Sequence, residues 1–425
     1  MVGDARERQV GFRKDAKEKP MNELDHLKER LTTNPLFALS LGSRELFHSN
    51  FLAWLLENYP LTVSALTQSQ APKKIEVYRE KYNFDLVIVF GEGNDRQSLI
   101  IEVKVKDIPS IEQLDRYDET AKKHKKILGS SPDRLLISLT KPPSEIPVSW
   151  RVVNLAELAG LIENAASACN FTPGHHTLIQ YYIALCRDLT ELVQRVTTGD
   201  SKSCYFLFKP TGEEASCKRP DEILDELRFS DTINKHRAGK LCEEMRCRSD
   251  TLSFSGFRPH FDHGFDRKQA HVGGVIQIKE NPDLSLAVHL QGNQYRRMLS
   301  FRGFKIPSRT EVKNQNELIQ FISETDKWKW MFGHYHENGS FFCTSGQGGF
   351  FMDKQVVPTS QRKNKILLSY APIHVYQYTD IGSDSGVPTD RVIDAVMEDL
   401  QYAAELLSDA DYVSRFREWS LRKAV

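Results

Sequence analysis

The sequence predicts an α/β domain in the first half of the chain and a strand-rich α+β domain in the second half. Helical and strand-like segments follow one another through the first half, whereas glycine, aromatic residues and period-2 alternation become common after Thr197. The segment TTGDSKS between them has the composition of a linker or loop, so we place a boundary near Gly199. The predicted units are a disordered tail at 1–20, a first domain at 21–198 and a second at 199–425.

The composition is that of an ordinary globular protein. Of 425 residues, 40% are hydrophobic and 27% charged, and 57 basic residues balance 57 acidic ones. A neutral total neither supports nor excludes a nucleic-acid partner, because a basic face can exist within a neutral chain. We expect no membrane segment and no secretory signal, since no apolar run has the required length. The seven cysteines show no disulfide spacing, which indicates a cytoplasmic location.

Hydrophobic spacing predicts the elements of the first half. A helix is expected at about Asn22–Leu31, and a second helix follows Ser43 and ends at Pro60. Two runs rich in β-branched residues, Phe84–Phe90 and Leu99–Val105, are predicted strands around the turn-forming segment GEGNDRQ. The later elements are a helix from Pro109 to about Ile127, strands at Arg134–Leu139 and Arg151–Leu155, and helices at about Ala156–Ala168 and Thr177–Val196.

In the second half, alternation predicts strands in the segments GGVIQIKE, LSLAVHLQ, GSFFCTSG and KILLSYAPIHVYQY. A helix is expected near Asn314–Thr325, and a final amphipathic helix runs from Pro388 toward Leu407. The segment QYRRMLSFRGFK interleaves aromatic and basic residues. This pattern is typical either of a nucleic-acid contact or of a hairpin with a basic outer face.

Four residues of the second half offer zinc-ligand side chains: Cys242, Cys247, His260 and His263. The two histidines stand closer together than zinc-finger histidines usually do, and the surrounding stretch lacks the apolar pattern of a zinc finger. Packed cysteines and surface histidines are therefore the preferred interpretation.

Three charged residues fall inside the two apolar strands of the first half, where an uncompensated charge is costly. If these strands form a hairpin with its tip at Gly93–Asn94, Asp85 stands directly opposite Glu102, with Cβ atoms about 4.5–5.5 Å apart. Lys104 follows two residues later and shares the face of Glu102. Two adjacent carboxylates repel each other unless a cation offsets their charge, and Mg²⁺ suits oxygen ligands at this separation. The backbone carbonyl of Val103 is a further expected ligand.

The same residues would also suit a cross-strand salt-bridge cluster on a solvated face. That alternative is weakened by the flanking positions, which are apolar on both faces and therefore indicate buried central strands. These positions are Leu86, Ile88, Ile101 and Val103 on one face, and Val87, Val89 and Ile100 on the other.

This arrangement resembles the PD-(D/E)XK nuclease superfamily. Glu102 and Lys104 match the Glu-x-Lys half of its motif, and Asp85 matches the aspartate, with Phe84 where the family name gives proline. The resemblance covers roughly residues 36–196. It implies a restriction-endonuclease-like α/β core, in which helices flank a mixed sheet, and metal-dependent phosphodiester hydrolysis.

Two further segments extend the resemblance. Gln113 and Tyr117 match the Q-x-x-x-Y pattern of the RecB-like branch, and ELFHSNFLAWLL resembles an early helix that supplies an acidic residue, here Glu45, with His48 one turn along. Each has a plainer interpretation. Gln113 would also complete a capping box with Ser110, Tyr117 and His48 would also suit packing roles, and Glu45 would also suit the first turn of a helix.

The resemblance implies a DNA nuclease that uses Mg²⁺ or Mn²⁺, in the setting of restriction or defence. It assigns Asp85, Glu102 and Glu45 both to the metal and to catalysis, Lys104 and Gln113 to catalysis, and Tyr117 and His48 to the substrate. Beside such a site, Val103 would be a further metal ligand, and Lys122 and Lys123 would contact substrate phosphates. Lys122 and Lys123 begin a lysine run that also suits a plain solvated face. Open alternatives are an RNA-cleaving enzyme, an effector activated by a ligand or partner, and a non-catalytic nucleic-acid-binding module. A homodimer or a partner protein is expected to form through residues 199–425.

Overall fold

The computed structural model describes residues 23–67, 74–91, 96–107, 111–129, 131–139, 146–197, 222–266, 269–278, 284–292, 294–301, short strands between 334 and 381, and 388–414. Several predicted features lie outside these residues: the tail at 1–20, the boundary near Gly199, the hairpin tip Gly93–Asn94 and the helix near Asn314–Thr325. Among the residues that the structure describes, no helix is both long and apolar enough to span a bilayer.

A mixed five-stranded sheet forms the centre of the first half. Its strands, in spatial and chain order, are β1 (Ile75–Arg79), β2 (Leu86–Phe90), β3 (Gln97–Lys104), β4 (Asp133–Ser138) and β5 (Arg151–Asn154). The first three strands pair antiparallel, and β3, β4 and β5 pair parallel. The predicted α/β class is therefore observed, and β1 is an edge strand that the sequence pattern did not predict.

Eight helices accompany this sheet in the described part of the first half: α1 (Glu23–Thr33), α2 (Pro35–Ser40), α3 (Arg44–Asn58), α4 (Leu61–Thr67), α5 (Ile111–Lys123), α6 (Lys125–Leu128), α7 (Leu155–Ala166) and α8 (Pro173–Thr197). Local sequence fixes their ends. Ser43 is the N-cap residue of α3, and the helix ends at Asn58, two residues before Pro60. Asn154 and Glu157 form a reciprocal capping box at the start of α7.

Strands β2 and β3 are buried on both faces, as their apolar composition predicts. On one face, Leu86 and Ile101 pack in a large core with residues of α3, α7 and α8. On the other face, Val87 and Ile100 pack in a smaller core with Leu114 of α5. Each fully buried branched side chain contributes about 1.5–3 kcal/mol, so these strands form a rigid platform for the charged residues at their ends.

The second half contains a six-stranded antiparallel sheet. Its strands are β6 (His260–Asp266), β7 (Gln269–Gln277), β8 (Leu284–Gln291), β9 (Gln294–Phe301), β13 (Leu368–Tyr370) and β14 (His374–Asp380), in the spatial order β13-β14-β9-β8-β7-β6. A separate small sheet comprises β10 (His334–Tyr335), β11 (Phe341–Phe342) and β12 (Gln355–Val356). Two helices pack on the large sheet: α9 (Ser230–Ser249) and α10 (Thr389–Ser408). Helix α10 was predicted, whereas α9 was not. A Cβ at Gly274 of β7 would lie 2.5 Å from Leu400, so glycine permits the close approach of α10.

The basic and aromatic segment around Arg297 is part of β9. Arg297 is fully buried, and its Nε and Nη2 each donate to a carboxylate oxygen of Asp399 in α10 at 2.8 Å. The hydroxyl of Tyr295 donates to the same carboxylate at 2.7 Å. Tyr295 and Arg297 are therefore core residues, and neither the nucleic-acid contact nor the basic outer face describes them. Removing one member of such a buried pair typically costs about 3–5 kcal/mol, so the pair fixes α10 on the sheet.

Several residues of the predicted second domain pack against the first half. Ile223, Leu227, Phe229 and Ile233 belong to the same core as α3 and α8. The remaining part of α9 packs in a second core with the six-stranded sheet and α10. Helix α9 therefore contributes to both cores and connects them.

Candidate active site

The hairpin of β2 and β3 has the predicted register. Leu86 pairs with Ile101 and Val87 with Ile100, which places position 85 opposite position 102. Oδ2 of Asp85 accepts a hydrogen bond of 2.7 Å from the backbone amide of Val103. The observed contact of Val103 thus uses its amide, whereas its carbonyl is the predicted metal ligand.

A tight turn at residues 80–83 precedes Asp85. Glu80, Tyr82 and Asn83 have φ values of 51°, 58° and 66°, the left-handed region that non-glycine residues rarely adopt. The amide of Glu80 donates to the carbonyl of Asp85 at 3.1 Å and closes the turn. Strained backbone of this kind is frequent near functional sites.

Glu102 is the most deeply buried charged residue of the candidate site, with 1% of its surface exposed. Its Oε1 lies 2.7 Å from Nζ of Lys104 and accepts a hydrogen bond of 2.9 Å from the hydroxyl of Tyr117. Its Oε2 is buried and has no hydrogen-bond partner among the described residues. A buried, unsatisfied carboxylate oxygen is costly in a folded protein, so this oxygen retains an unused capacity to accept a hydrogen bond or to bind a cation.

The charges of the site act on one another. Burial and the neighbouring charge of Glu102 raise the pKa of Asp85 to about 6, although the amide of Val103 opposes the shift. Burial alone would lower the pKa of Lys104, but the carboxylate of Glu102 outweighs burial and raises it. Lys104 therefore stays charged, while Asp85 carries a charge that the surrounding protein does not favour.

Helix α5 brings two further predicted residues to Glu102. Nε2 of Gln113 donates to the hydroxyl of Tyr117 at 2.9 Å, and that hydroxyl donates to Glu102. The two residues are one helical turn apart and share a face. The ring of Tyr117 also meets Phe84 edge-on at 5.5 Å, so this side chain combines a packing role with its hydrogen bond. The alternative capping role of Gln113 involves Ser110, which lies outside the described residues.

Glu45 lies in the first turn of α3, beside the site. Its Oε1 accepts hydrogen bonds of 3.3 Å from the backbone amides of Lys106 and Asp107, in the segment that follows β3. Its charge also contributes to the raised pKa of Asp85. Glu45 therefore belongs to the electrostatic environment of the two carboxylates, while its own contacts are to backbone amides.

The structure does not bring His48 to the site. Its side chain is fully buried, and its Nδ1 lies 3.0 Å from the hydroxyl of Tyr182 in α8. Burial and the nearby charge of Arg44 lower the pKa of His48 to about 3, so the ring is neutral. The prediction that His48 contacts the substrate is therefore wrong, because His48 is a core residue. Helix α3 is buried on most of its surface, so helical spacing alone did not identify which face lies toward the site.

Lys122 and Lys123 occupy the exposed last turn of α5, on the same helix as Gln113 and Tyr117. Nζ of Lys122 forms a salt bridge of 2.7 Å with Glu119. The two lysines make no contact with Asp85 or Glu102 in the described structure, so they remain candidates only for contacts with an extended substrate.

The carboxylates suit a hard cation with few protein ligands. Among the described residues, no group of three or more His, Cys, Asp or Glu side chains is placed to hold a metal. The zinc candidates Cys242, Cys247, His260 and His263 are described residues and form no such group. Mg²⁺ keeps several waters and is commonly held by one or two carboxylates together with substrate phosphate. The unpartnered Oε2 of Glu102 and the disfavoured charge of Asp85 fit such an ion.

Two residues near the site had no signal in the sequence. Asp107 forms an ion pair with Lys235 of α9, which lies 128 residues further along the chain. Arg44, directly before Glu45, donates to the backbone carbonyls of Leu227 and Arg228. These contacts join distant segments, and no local spacing pattern reveals them.

No family model, no curated protein and no solved structure matches this chain. The resemblance to PD-(D/E)XK nucleases therefore rests on its own residues, their order and the strand register.

Proposed function

We propose that this chain is a metal-dependent nuclease that hydrolyses phosphodiester bonds in DNA. The observation that carries the proposal is the state of the Glu102 carboxylate. Lys104 and Tyr117 hold one of its oxygens, while the other is buried and unpartnered beside Asp85. Most buried carboxylate oxygens in folded proteins have a hydrogen-bond partner, so an unpartnered oxygen beside a second carboxylate favours a ligand at this point.

Asp85 and Glu102 would hold Mg²⁺ or Mn²⁺. When bound, the ion supplies Lewis-acid chemistry by lowering the pKa of an attacking water and offsetting charge on the phosphate. Tyr117 and Gln113 fix the orientation of Glu102 through their chain of hydrogen bonds. Lys104 keeps its proton and presents a positive charge that favours a phosphate approaching the same face.

The exposed lysines of α5 support nucleic acid as the substrate class. Lys122 and Lys123 project from the last turn of the helix that carries Tyr117. Lysines at such positions contact backbone phosphates, which supply most of the affinity for nucleic acid. The same site chemistry serves DNA and RNA, so a substrate panel separates these two enzymatic alternatives.

One observation favours a regulated effector over a constitutive nuclease. Lys235 and the segment around Leu227 reach the residues that surround Glu45 from the second half of the chain. A nuclease held in this way would respond to a ligand or partner of the second half. An inactive purified protein that still binds Mn²⁺ would support this alternative.

The proposal is tested by cleavage assays on supercoiled plasmid, single-stranded DNA and RNA, with Mg²⁺, Mn²⁺ or a chelator. We expect metal-dependent cleavage by the wild type. Glu102→Gln and Lys104→Met should each lower the rate by roughly 100-fold or more, the size of effect seen when a charge-stabilising group is lost. The matched control is Glu163→Gln, which removes an exposed carboxylate of α7 paired with Arg187.

Cleavage that survives both site substitutions, or that persists in chelator, would refute the proposal. Calorimetry with Mn²⁺ addresses the remaining alternative, a binding module without catalysis. A folded wild-type protein that takes up no divalent metal and cuts no nucleic acid would favour that module.

A further inference from the structure

A segment of the second half holds the backbone beside Glu45. Lys235 of α9 forms an ion pair with the carboxylate of Asp107. Asp107 is also one of the two residues whose amides donate to Oε1 of Glu45. The other is Lys106, two positions after Lys104. The ion pair therefore acts directly on the backbone that binds Glu45.

Arg44, the residue directly before Glu45, also contacts the second half of the chain. Nη2 of Arg44 donates to the carbonyls of Leu227 and Arg228 at 3.1 and 3.0 Å. The Arg44 guanidinium carbon lies 3.8 Å from the centre of the Phe229 ring, a cation–π contact. The residue before Glu45 and the backbone segment that donates to Glu45 are thus both held by contacts with residues 227–235.

Lys235 is itself fixed to the second sheet. Its side chain is only 17% exposed, and its Nζ lies 5.0 Å from the centre of the Phe265 ring in β6. Helix α9 packs on β6 and β7. A continuous path of contacts therefore runs from the six-stranded sheet through Lys235 to the segment after β3.

We propose that Lys235 is a positioning residue of the nuclease site, which sets the amides of Lys106 and Asp107 for Glu45. The inference rests on the proposed function, because Glu45 matters only if the neighbouring carboxylates bind a metal. It also gives the second half a defined means of control. Any displacement of α9 with its sheet moves the backbone that follows Lys104.

The test compares Lys235→Ala with Lys235→Arg, which keeps the charge, and with Lys240→Ala as a matched control. Lys240 is an exposed residue of the same helix, and its ion pair with Glu244 stays within α9. Thermal unfolding establishes that each variant is folded. Hydrogen exchange of the amides of Lys106 and Asp107 in metal-free protein provides a readout independent of activity.

We expect faster exchange at those two amides in Lys235→Ala and wild-type exchange in Lys240→Ala. The Mn²⁺ concentration for half-maximal cleavage should rise by roughly fivefold or more, the lower end of typical coupling between sites. Lys235→Arg should restore both readouts toward wild type. A charge-swapped double variant, Lys235→Glu with Asp107→Lys, should regain what Lys235→Glu alone loses.

Folded Lys235→Ala with unchanged exchange and an unchanged Mn²⁺ midpoint would overturn the inference and leave the proposed function intact. Faster exchange without any metal-dependent cleavage by the wild type would instead show that Lys235 positions the segment while the proposed function fails. A wild type that neither binds Mn²⁺ nor cuts nucleic acid would overturn the positioning role in catalysis as well.

Discussion

The ammonium nitrogen of Lys104 lies 2.7 Å from Oε1 of Glu102, and both side chains are largely buried in strand β3. Lys104 is paired with Glu102, whereas Asp85 accepts its hydrogen bond from the backbone amide of Val103. Burial and the charge of Glu102 raise the pKa of Asp85 to about 6, and the charge of Lys104 offsets this rise only in part. A bound cation would offset the charge of Asp85, in keeping with the proposed metal site.

Asp85→Asn should stabilise the metal-free protein at pH 7. The folded-state pKa of about 6 lies above the ordinary value of 3.8. Ionisation of Asp85 therefore destabilises the fold as the pH rises through this interval, and the penalty is absent below about pH 3.8. With its partial exposure allowed for, the gain in unfolding free energy is about 1–2 kcal/mol at pH 7. Thermal unfolding in chelator at pH 7 and pH 4 measures it, and a variant less stable than wild type at pH 7 would contradict the prediction.

Tyr117→Phe should slow cleavage without unfolding the protein. It removes the hydroxyl that donates to Glu102 and accepts from Gln113, while the ring keeps its packing against Phe84. Hydrogen bonds to charged groups contribute about 1.5–3 kcal/mol, so a rate loss of roughly tenfold or more is expected. Single-turnover rates at saturating Mn²⁺ measure it. Tyr181→Phe, which alters an exposed tyrosine of α8, serves as the control. An unchanged rate would assign Tyr117 to packing alone.

His48→Gln should weaken the acid sensitivity of the fold. The neutral buried ring has a pKa of about 3 in the folded protein, against about 6.5 when unfolded. The unfolded state therefore gains a proton as the pH falls below 6.5, and stability drops by up to about 1.4 kcal/mol per pH unit from this group.

Glutamine can retain a hydrogen bond to Tyr182 but has no titrating ring, so unfolding free energies measured from pH 6.5 to pH 4 should fall less steeply in the variant. A slope equal to that of wild type would contradict the core assignment of His48. Loss of cleavage in a stably folded His48→Gln protein would support the substrate role that the sequence suggested.

Lys122→Ala and Lys123→Ala should weaken DNA binding in a salt-dependent manner. Both lysines are exposed at the end of α5. Each lost phosphate contact should make the dependence of log affinity on log salt shallower by about one. Binding in chelator, where no cleavage occurs, measures this at several salt concentrations. Arg187→Gln removes an exposed cation of α8 as the control. Salt slopes of Lys122→Ala and Lys123→Ala equal to that of the wild type would exclude these lysines from the interface.

Residues close in sequence were easier to predict than contacts over long distances. The register of β2 and β3 followed from the position of one turn-forming segment, and it correctly placed Asp85 opposite Glu102. Helix α9 was missed because its buried residues include Arg237 and Cys242, so no apolar stripe marks its face. The pairing of Arg297 with Asp399 spans 102 residues, and in sequence each looks like a surface charge.

Diffraction from crystals soaked in Mn²⁺, with the anomalous signal of the metal, tests the two-carboxylate site most directly. We expect an anomalous peak bound by the carboxylates of Asp85 and Glu102, with Oε2 of Glu102 among its ligands, and loss of that peak in Glu102→Gln. Full Mn²⁺ exposure with no peak between these two side chains, or a peak bound only elsewhere on the protein, would contradict the account.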